Sequence, residues 1–178
     1  MKEMYGNIWD LALGNLRCRS NRYPIVVTTN GFVRNNGALV MGKGIAKEAA
    51  ALYPSLPFIM GEKIREKGNN NNVHLFIMVD EQSLISFPVK PRGQVCTGDN
   101  VVRHMQSEFK VGDYVPGWAC KAEIPLIERS LKQLASLRIE DHPIYCPRFG
   151  CGAGELNWRD VAPLCRQHLD DRFIICHR

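Results

Sequence analysis

Runs of apolar residues alternate with polar stretches along this chain, and their lengths separate strands from helices. Residues 25–29 form a β-branched run, which predicts a buried strand. Residues 73–79 and 84–87 are apolar runs of strand length with polar residues between them. Two shorter strands are predicted nearer the end of the sequence, at residues 143–146 and 172–176.

Helical patterns fill the spaces between these runs. Residues 45–52 and 58–67 predict two helices that end before Pro54 and at Gly68. Apolar residues recur at helical spacing from Ile124 to Leu134, and Asn157 can cap another helix that extends to Leu169. Strands that alternate with helices indicate an α/β fold. We therefore predict a three-layer α/β/α sandwich with a central mixed sheet.

Composition narrows the class of protein. The chain has 178 residues, of which 45% are hydrophobic and 23% charged, so one globular domain over residues 1–178 is expected. The longest run of large apolar residues, 75–79, is too short to cross a bilayer, and the polar N-terminus does not resemble a signal peptide. No membrane partner is therefore expected.

The cysteines, the histidines and the net charge constrain the class of protein and its partners less strongly. The seven cysteines include no C-x-x-C pair, which favours reduced thiols in a cytoplasmic protein over a disulfide framework or a zinc site. The five histidines show no ligand spacing, so no metal site is predicted. The net charge of +5 favours anionic partners without identifying nucleic acid among them.

Two glycine-rich loops lie where a predicted strand leads into a helix. The first spans residues 37–44, and the second spans residues 149–155. Glycine allows successive backbone N–H groups to converge on an anion, and the N-terminus of the following helix adds partial positive charge. Two such loops predict a phosphate ligand, and together they could grip both halves of a diphosphate.

The first loop also comes close to the P-loop pattern of nucleotide triphosphatases. Gly44 stands where that pattern needs a Ser or Thr hydroxyl to bind the metal, and residues 30–36 separate the loop from its strand. Apolar residues 39–41 occupy the positions that would cradle phosphates. A P-loop NTPase is therefore the weaker alternative.

Several short segments taken together resemble the macrodomain family, which binds ADP-ribose. Within that family the pattern is most similar to the terminal ADP-ribose glycohydrolases, the DNA ADP-ribosyl glycohydrolase antitoxins, and stand-alone bacterial or phage macrodomains. Each segment is weakly specific alone, but their order and spacing together are specific. The segments are GNIW at 6–9, TTN at 28–30, MGKGIA at 41–46, FPVK at 87–90, PRFGCG at 147–152 and LNW at 156–158.

The resemblance implies an ADP-ribose site. Asn7 matches the family's usual Asp at the adenine amino group, and the backbone of Ile8 would donate to the ring; the alternative for Asn7 is a turn residue. Asn30 matches the residue that holds the distal ribose. The other implied ligand-binding residues lie in the two loops: Met41, Gly42, Gly44 and Ile45 in the first, and Gly150, Cys151, Gly152, Ala153, Gly154 and Leu156 in the second.

The resemblance also implies catalytic residues. Lys90 matches a lysine implicated in catalysis in this subgroup, and its neutral amine would attack the anomeric carbon of the distal ribose. Gly154 stands where the human terminal ADP-ribose glycohydrolase has an Asp, so Glu155 is the candidate carboxylate. The alternatives are a surface lysine and a glutamate that stabilises the first turn of a helix.

Two functions follow from this resemblance. One is an ADP-ribosyl hydrolase that releases ADP-ribose from a modified nucleobase or a protein carboxylate. The other is a non-catalytic reader of ADP-ribose or a related nucleotide metabolite. Neither requires a cofactor. The implied partners are ADP-ribose, an ADP-ribosylated macromolecule such as a nucleic acid, and an ADP-ribosyltransferase toxin.

Residues 91–117 look like an insertion relative to the subgroup. A short helix over 100–109, with Asp99 as its cap, is expected inside it. The segment would act as a lid that reads the group attached to ADP-ribose, as a base-stacking surface, or only as an elaborated loop. Its candidate contact residues are Arg92, Arg103, His104, Lys110 and Tyr114, with Trp118 at its end.

Overall fold

A mixed six-stranded sheet forms the centre of the computed structural model, which describes residues 1–13, 23–66, 71–78, 80–139 and 142–177. The strands are β1 (Lys2–Tyr5), β2 (Ile25–Thr29), β3 (His74–Ile77), β4 (Ser83–Pro88), β5 (Gly93–Val95), β6 (Tyr114–Pro116), β7 (Ile144–Pro147) and β8 (Phe173–His177). The helices are α1 (Ile8–Leu13), α2 (Gly44–Leu52), α3 (Leu56–Arg65), α4 (Ile124–Ser136) and α5 (Trp158–His168), with a 3₁₀ helix at Arg103–Glu108.

The order of strands in the main sheet is β1-β8-β7-β2-β4-β3. All neighbours are parallel except β3, which runs antiparallel to β4. β2 lies in the interior of the sheet and pairs with both β4 and β7. The carboxyl ends of β2, β4 and β7 therefore meet at one edge, and the loops that follow them converge there.

Two apolar clusters cover the two faces of this sheet. Successive residues of β2 point to opposite faces, so Ile25 and Val27 belong to one cluster and Val26 to the other. Helices α1, α2 and α3 contribute buried residues to the first cluster, and α4 and α5 contribute to the second. Because both faces carry helices, the predicted α/β/α sandwich with a mixed sheet is confirmed.

Most predicted elements are present with small shifts at their ends. α3 begins at Leu56, earlier than predicted, because Pro57 is accommodated in its first turn. Asn157 caps α5 as predicted, since its side chain accepts from the backbone N–H of Arg159 at 2.9 Å. The predicted end of α3 at residues 67–68 and the last residue of the 73–79 run lie outside the described residues.

The short helix predicted over residues 100–109 is present as a 3₁₀ helix at Arg103–Glu108, but its predicted start at residue 100 and its Asp99 cap are wrong. Val101 is extended and bridges Cys120, and the 3₁₀ helix starts only at Arg103. Val102 stands at the N-cap without a side-chain cap, and the Asp99 carboxylate instead accepts from the Thr97 hydroxyl at 2.6 Å. Because Val101 pairs with Cys120, the chain is extended at this point and the helix begins later in the sequence than predicted.

The residues between β4 and α4 form a small unit, here called the ribbon segment (residues 93–120). Its strands β5 and β6 pair antiparallel, apart from the main sheet. It has an apolar cluster of its own, built from Cys96, Val101, Val115, Ala119 and Cys120. The assignment of the whole chain to one domain with an insertion stays a prediction.

In the part of the chain that the structure describes, every helix falls short of the length and apolar character that crossing a bilayer would require.

Candidate functional site

A cavity of about 330 Å³ opens where β2, β4 and β7 end. Its floor is formed by residues at or just after the ends of β2 and β4, and its two walls by the glycine-rich loops. The ribbon segment contributes His104 and Trp118. The other lining residues are Thr28, Thr29, Asn30, Val89 and Lys90 at the floor, Val40 and Gly42 to Ala46 in the first loop, and Pro147, Arg148, Gly150, Gly152, Ala153 and Gly154 in the second.

The cavity brings together most of the residues that the sequence nominated. Those that line it are Asn30, Gly42, Gly44, Ile45, Lys90, Gly150, Gly152, Ala153 and Gly154. Six nominated residues do not line it. Ile8 and Met41 pack in the core, and the Asn7 side chain accepts from the backbone N–H of Trp9 at 3.0 Å. Cys151, Glu155 and Leu156 line a neighbouring cleft instead.

The side chain of Asn30 fixes the first loop against the end of β2. Its amide nitrogen donates to the carbonyl of Val40 at 2.8 Å, and its amide oxygen accepts from the backbone N–H of Phe32 at 2.9 Å. An amide carries two N–H donors and two acceptor lone pairs, so one of each remains for a ligand. The nearly buried Asn30 can therefore hold the loop and a ribose hydroxyl together.

The first loop does not have the form that a P-loop requires. Leu39 is buried in the core and bridges Val33, so residues 33–39 form a tight turn with Gly37 at φ 93°. Of the glycines in this loop, Gly42 and Gly44 line the cavity and Gly37 does not. This geometry counts against phosphate binding by the full P-loop pattern.

The three glycines of the second loop have different roles. A Cβ atom on Gly154 would lie 2.5 Å from the carbonyl oxygen of Gly150 and 2.6 Å from the Cβ of Ala122, because the loop packs tightly there. Gly150 has φ 71°, which favours glycine. A Cβ on Gly152 would meet no atom within 4 Å. Gly152 is therefore the point where the loop backbone is open to a ligand.

Lys90 is the cationic side chain at the floor. It is only 7% exposed, and its Nζ donates to the carbonyl of Trp118 at 3.2 Å. Burial lowers the pKa of Lys90 to about 8, with Cys120 and Glu155 raising it and Lys43 lowering it further. A substantial fraction of this amine is therefore neutral at slightly alkaline pH, which is the state that a nucleophilic lysine needs.

Glu155 faces the ribbon segment. It adopts φ 61°, in the left-handed region, and its carboxylate accepts from the backbone N–H of Arg103 at 2.9 Å. The carboxylate thus contacts the ribbon segment rather than a first-turn N–H group of α5. Glu155 lines the neighbouring cleft and does not line the cavity that has Lys90 at its floor.

The neighbouring cleft has a volume of about 730 Å³ and shares Arg148 and Gly152 with the cavity. The Arg148 guanidinium lies 5.2 Å from the ring centroid of Trp158 and 3.1 Å from the Glu3 carboxylate. Both Trp158 and His177 line this cleft. The backbone N–H of Gly6, next to the predicted adenine segment, donates to the carbonyl of His177 at 2.9 Å. Planar side chains therefore lie close to that segment.

Two further groups bear on the chemistry. The Cys151 thiol donates to the carbonyl of Phe149 at 3.3 Å, and burial raises its pKa to about 11, so it is a poor nucleophile at neutral pH. Among the described residues, no group of three or more His, Cys, Asp or Glu side chains is arranged to hold a metal ion.

Sequence reasoning did not foresee one contact at the cavity. Lys43 Nζ of the first loop lies 2.8 Å from His104 Nε2 of the ribbon segment. His104 entered the sequence analysis only as a member of the segment, since nothing local relates it to a residue 61 positions earlier. Folding of the ribbon segment back over the first loop creates this pair.

Comparison with known proteins identifies the fold of this chain. No protein-family model and no curated protein matches the chain. Among solved structures, the macrodomain of Mycobacterium tuberculosis DarG has a TM-score of 0.58 at 22% identity, covering 99% of this chain and 97% of that chain. The macrodomain of Thermus aquaticus DarG has a TM-score of 0.63 at 18% identity, again covering 99% and 97%.

A third solved structure contains a ligand. Thermosipho africanus DarTG in complex with ADP-ribose has a TM-score of 0.59 at 20% identity, and the match covers 86% of this chain and 37% of that chain. Together these likenesses show that the chain has the macrodomain fold. The fold implied by the sequence resemblance is therefore confirmed.

Proposed function

We propose that this protein binds ADP-ribose in the cavity and hydrolyses ADP-ribosyl linkages, with Lys90 acting on the distal ribose. The observation that carries this proposal is the nearly buried Lys90 amine, whose pKa is lowered to about 8, at the floor between two glycine-rich loops. The macrodomain fold and the ADP-ribose complex of a structural neighbour support the choice of ligand.

The two loops suit the diphosphate. α2 begins at Gly44, and its N-cap residue Lys43 makes no side-chain cap, so backbone donors of the first turn remain for an anion. Gly152 in the facing loop is open toward a ligand. The nucleobase would lie in the neighbouring cleft beside Trp158, close to the turn that leads to Asn7.

Lys90 would carry the chemistry in two steps. Its neutral amine forms a bond to the anomeric carbon of the distal ribose, and the bond from that carbon to the modified macromolecule breaks. The amine gives one proton to the leaving group. The ribose ring then opens to a Schiff base on the lysine, and the second proton of the amine passes to the former ring oxygen, which becomes a hydroxyl. Water then adds to the same carbon, which releases ADP-ribose and restores the amine.

A non-catalytic reader is the second candidate, and one observation favours it. No carboxylate is found among the described residues that line the cavity, because Glu155 faces the ribbon segment. A reader needs only the ligand-binding loops, whereas a hydrolase also needs a group to manage protons. We propose the same partners for both functions. They are a macromolecule that carries ADP-ribose, such as a nucleic acid, and an ADP-ribosyltransferase toxin.

Free ADP-ribose is expected to raise the melting temperature of the protein without added Mg²⁺, since a ligand selective for the native state stabilises it. At about a hundredfold excess over the dissociation constant, the gain in unfolding free energy would be about 2.7 kcal/mol. Differential scanning fluorimetry and calorimetry measure this, with ADP and ribose 5-phosphate as fragments for comparison. Stabilisation by ATP with Mg²⁺ but not by ADP-ribose would favour the P-loop alternative.

Hydrolysis is tested separately from binding. The full chain is incubated with thymidine-, guanosine- and glutamate-linked ADP-ribose, and the release of ADP-ribose is followed by chromatography. We expect release from at least one linkage. Binding of ADP-ribose without release from any linkage would contradict the hydrolase and support the reader.

A further inference from the structure

The ribbon segment connects to both glycine-rich loops through two consecutive residues. His104 Nε2 lies 2.8 Å from Lys43 Nζ of the first loop, and the backbone N–H of Arg103 donates to Glu155 of the second loop at 2.9 Å. His104 and Lys43 both line the cavity. The first two residues of the 3₁₀ helix therefore contact both glycine-rich loops.

The contact between His104 and Lys43 joins an imidazole nitrogen to an ammonium group. An ammonium group has only donors, so Lys43 donates in this contact and the His104 Nε2 atom accepts. The other charged groups facing this corner are Lys90 and Arg148 in the cavity lining and Glu155, which binds Arg103 on the same 3₁₀ helix. All charged side chains that line the cavity in the described structure are thus cationic.

We propose that His104 and Lys43 form a second anion-binding pair, opposite the loop backbones, and that binding of a diphosphate is coupled to proton uptake by His104. A phosphate oxygen accepts from Lys43 in place of the His104 Nε2 atom. The freed nitrogen takes a proton from solvent and donates to the anion. This inference rests on the proposed function only in that the ligand carries a diphosphate.

Physical chemistry favours this exchange. Imidazole is the side chain whose charge changes most readily between about pH 5 and 8, and a nearby anion favours its charged form. Hydrogen bonds between ionised partners are roughly twice as strong as those between neutral groups. The contact with Lys43 occupies the His104 Nε2 atom, and a diphosphate that takes over the Lys43 donor leaves this nitrogen available for a proton.

Isothermal titration calorimetry of the full chain tests the proposal. ADP-ribose and, separately, inorganic pyrophosphate are titrated near pH 7 in two buffers of different ionisation enthalpy, which gives the number of protons taken up. We expect net uptake by the wild type and none by His104→Gln, whose amide can still accept from Lys43. The affinity of His104→Gln should be about tenfold lower near pH 6 and nearly unchanged near pH 8.5.

Matched variants separate this role from a structural one. His142→Gln removes a histidine beyond the amino end of β7, away from the cavity, and should keep the wild-type proton uptake. Lys43→Met should weaken binding at both pH values, whereas Lys47→Met, an exposed lysine of α2, should not. Melting temperatures of all four variants confirm that they fold.

The outcomes distinguish the two proposals. Equal proton uptake by His104→Gln and the wild type would contradict the proposed role of His104 and Lys43, even if ADP-ribose binds. The absence of proton uptake by the wild type would contradict it as well. Binding of pyrophosphate but not of ADP-ribose would contradict the proposed function. The pyrophosphate titrations would then still show whether His104 takes up a proton when the anion binds. Binding of neither ligand would overturn both.

Discussion

Replacement of Lys90 by alanine is expected to reduce the release of ADP-ribose by about 10²-fold or more, while ADP-ribose affinity changes little. The loops provide the contacts to the bound ligand, and the lysine acts where bonds change. Release is measured on the most active linkage of the panel, and affinity by calorimetry. Lys47→Ala, which removes an exposed lysine of α2, is the matched control and should keep wild-type activity.

The pH dependence should identify which form of Lys90 acts. Because its pKa is lowered to about 8, the neutral fraction grows as pH rises through that value. Turnover by a nucleophilic amine should therefore rise up to about pH 8 and then level off.

Lys90→Arg should be as inactive as the alanine variant, since a guanidinium stays protonated. Borohydride should trap an adduct on the wild type alone. Full activity of Lys90→Ala would contradict the catalytic role.

Gly152→Glu is expected to abolish ADP-ribose binding, with a loss of about 10²-fold or more, and to leave the fold intact. A side chain at this position meets no atom within 4 Å, so it can be accommodated. Gly152 lines both the cavity and the neighbouring cleft, so the new carboxylate would lie beside the diphosphate in the proposed site and repel it. Such like-charge contacts cost several kcal/mol. Calorimetry measures the affinity, and thermal unfolding checks the fold.

Two alanine variants control for this substitution. Gly152→Ala adds no charge and should bind ADP-ribose with only a small loss. Gly154→Ala should lower the unfolding free energy by about 1–3 kcal/mol, because its Cβ would overlap with Gly150 and Ala122. A folded Gly152→Glu variant with wild-type affinity would place the ligand outside this cavity.

The sequence predicted two kinds of element well. One is a strand that is buried on both faces of the sheet, and the other is a helix that is buried along one side. β2 is buried throughout except at Thr28, so its β-branched run is distinct. α4 buries Leu126, Ile127, Leu131 and Leu134 on one side, and this produces the helical spacing seen in the sequence. Such patterns depend only on the local chain and its environment.

The elements that were missed lack such a pattern. β1 lies at the edge of the sheet with all four residues exposed, so no apolar alternation indicates it. α1 has only six residues, too few to show a helical period. β5 and β6 are three residues each and are stabilised mainly by each other and by the cluster of the ribbon segment. Their formation depends on contacts between distant parts of the sequence.

The candidate site divides in the same way. The glycine loops could be nominated because they lie where predicted strands lead into helices, and Lys90 because its segment resembles the macrodomain family. The location of Glu155 outside the cavity and the pairing of His104 with Lys43 could not, because both depend on how the ribbon segment folds back over the loops. The hydrogen bond from the Lys90 amine to the carbonyl of Trp118 likewise depends on that segment.

The strand order carries a consequence for how the protein is made. β2 is completed early in synthesis, but its neighbour β7 comes near the end of the chain, and β1 pairs with β8, the last strand. Pairing between sequence-distant strands is slow, because the chain must close long loops before it gains contacts. During translation, the first half of the chain would leave the ribosome with the β7-facing edge of β2 unpaired, and the site could assemble only once the second glycine loop has emerged. A ribosome-bound chain that stops before β7 should therefore be protease-sensitive, and this step of biogenesis is where we expect the protein to depend most on chaperones.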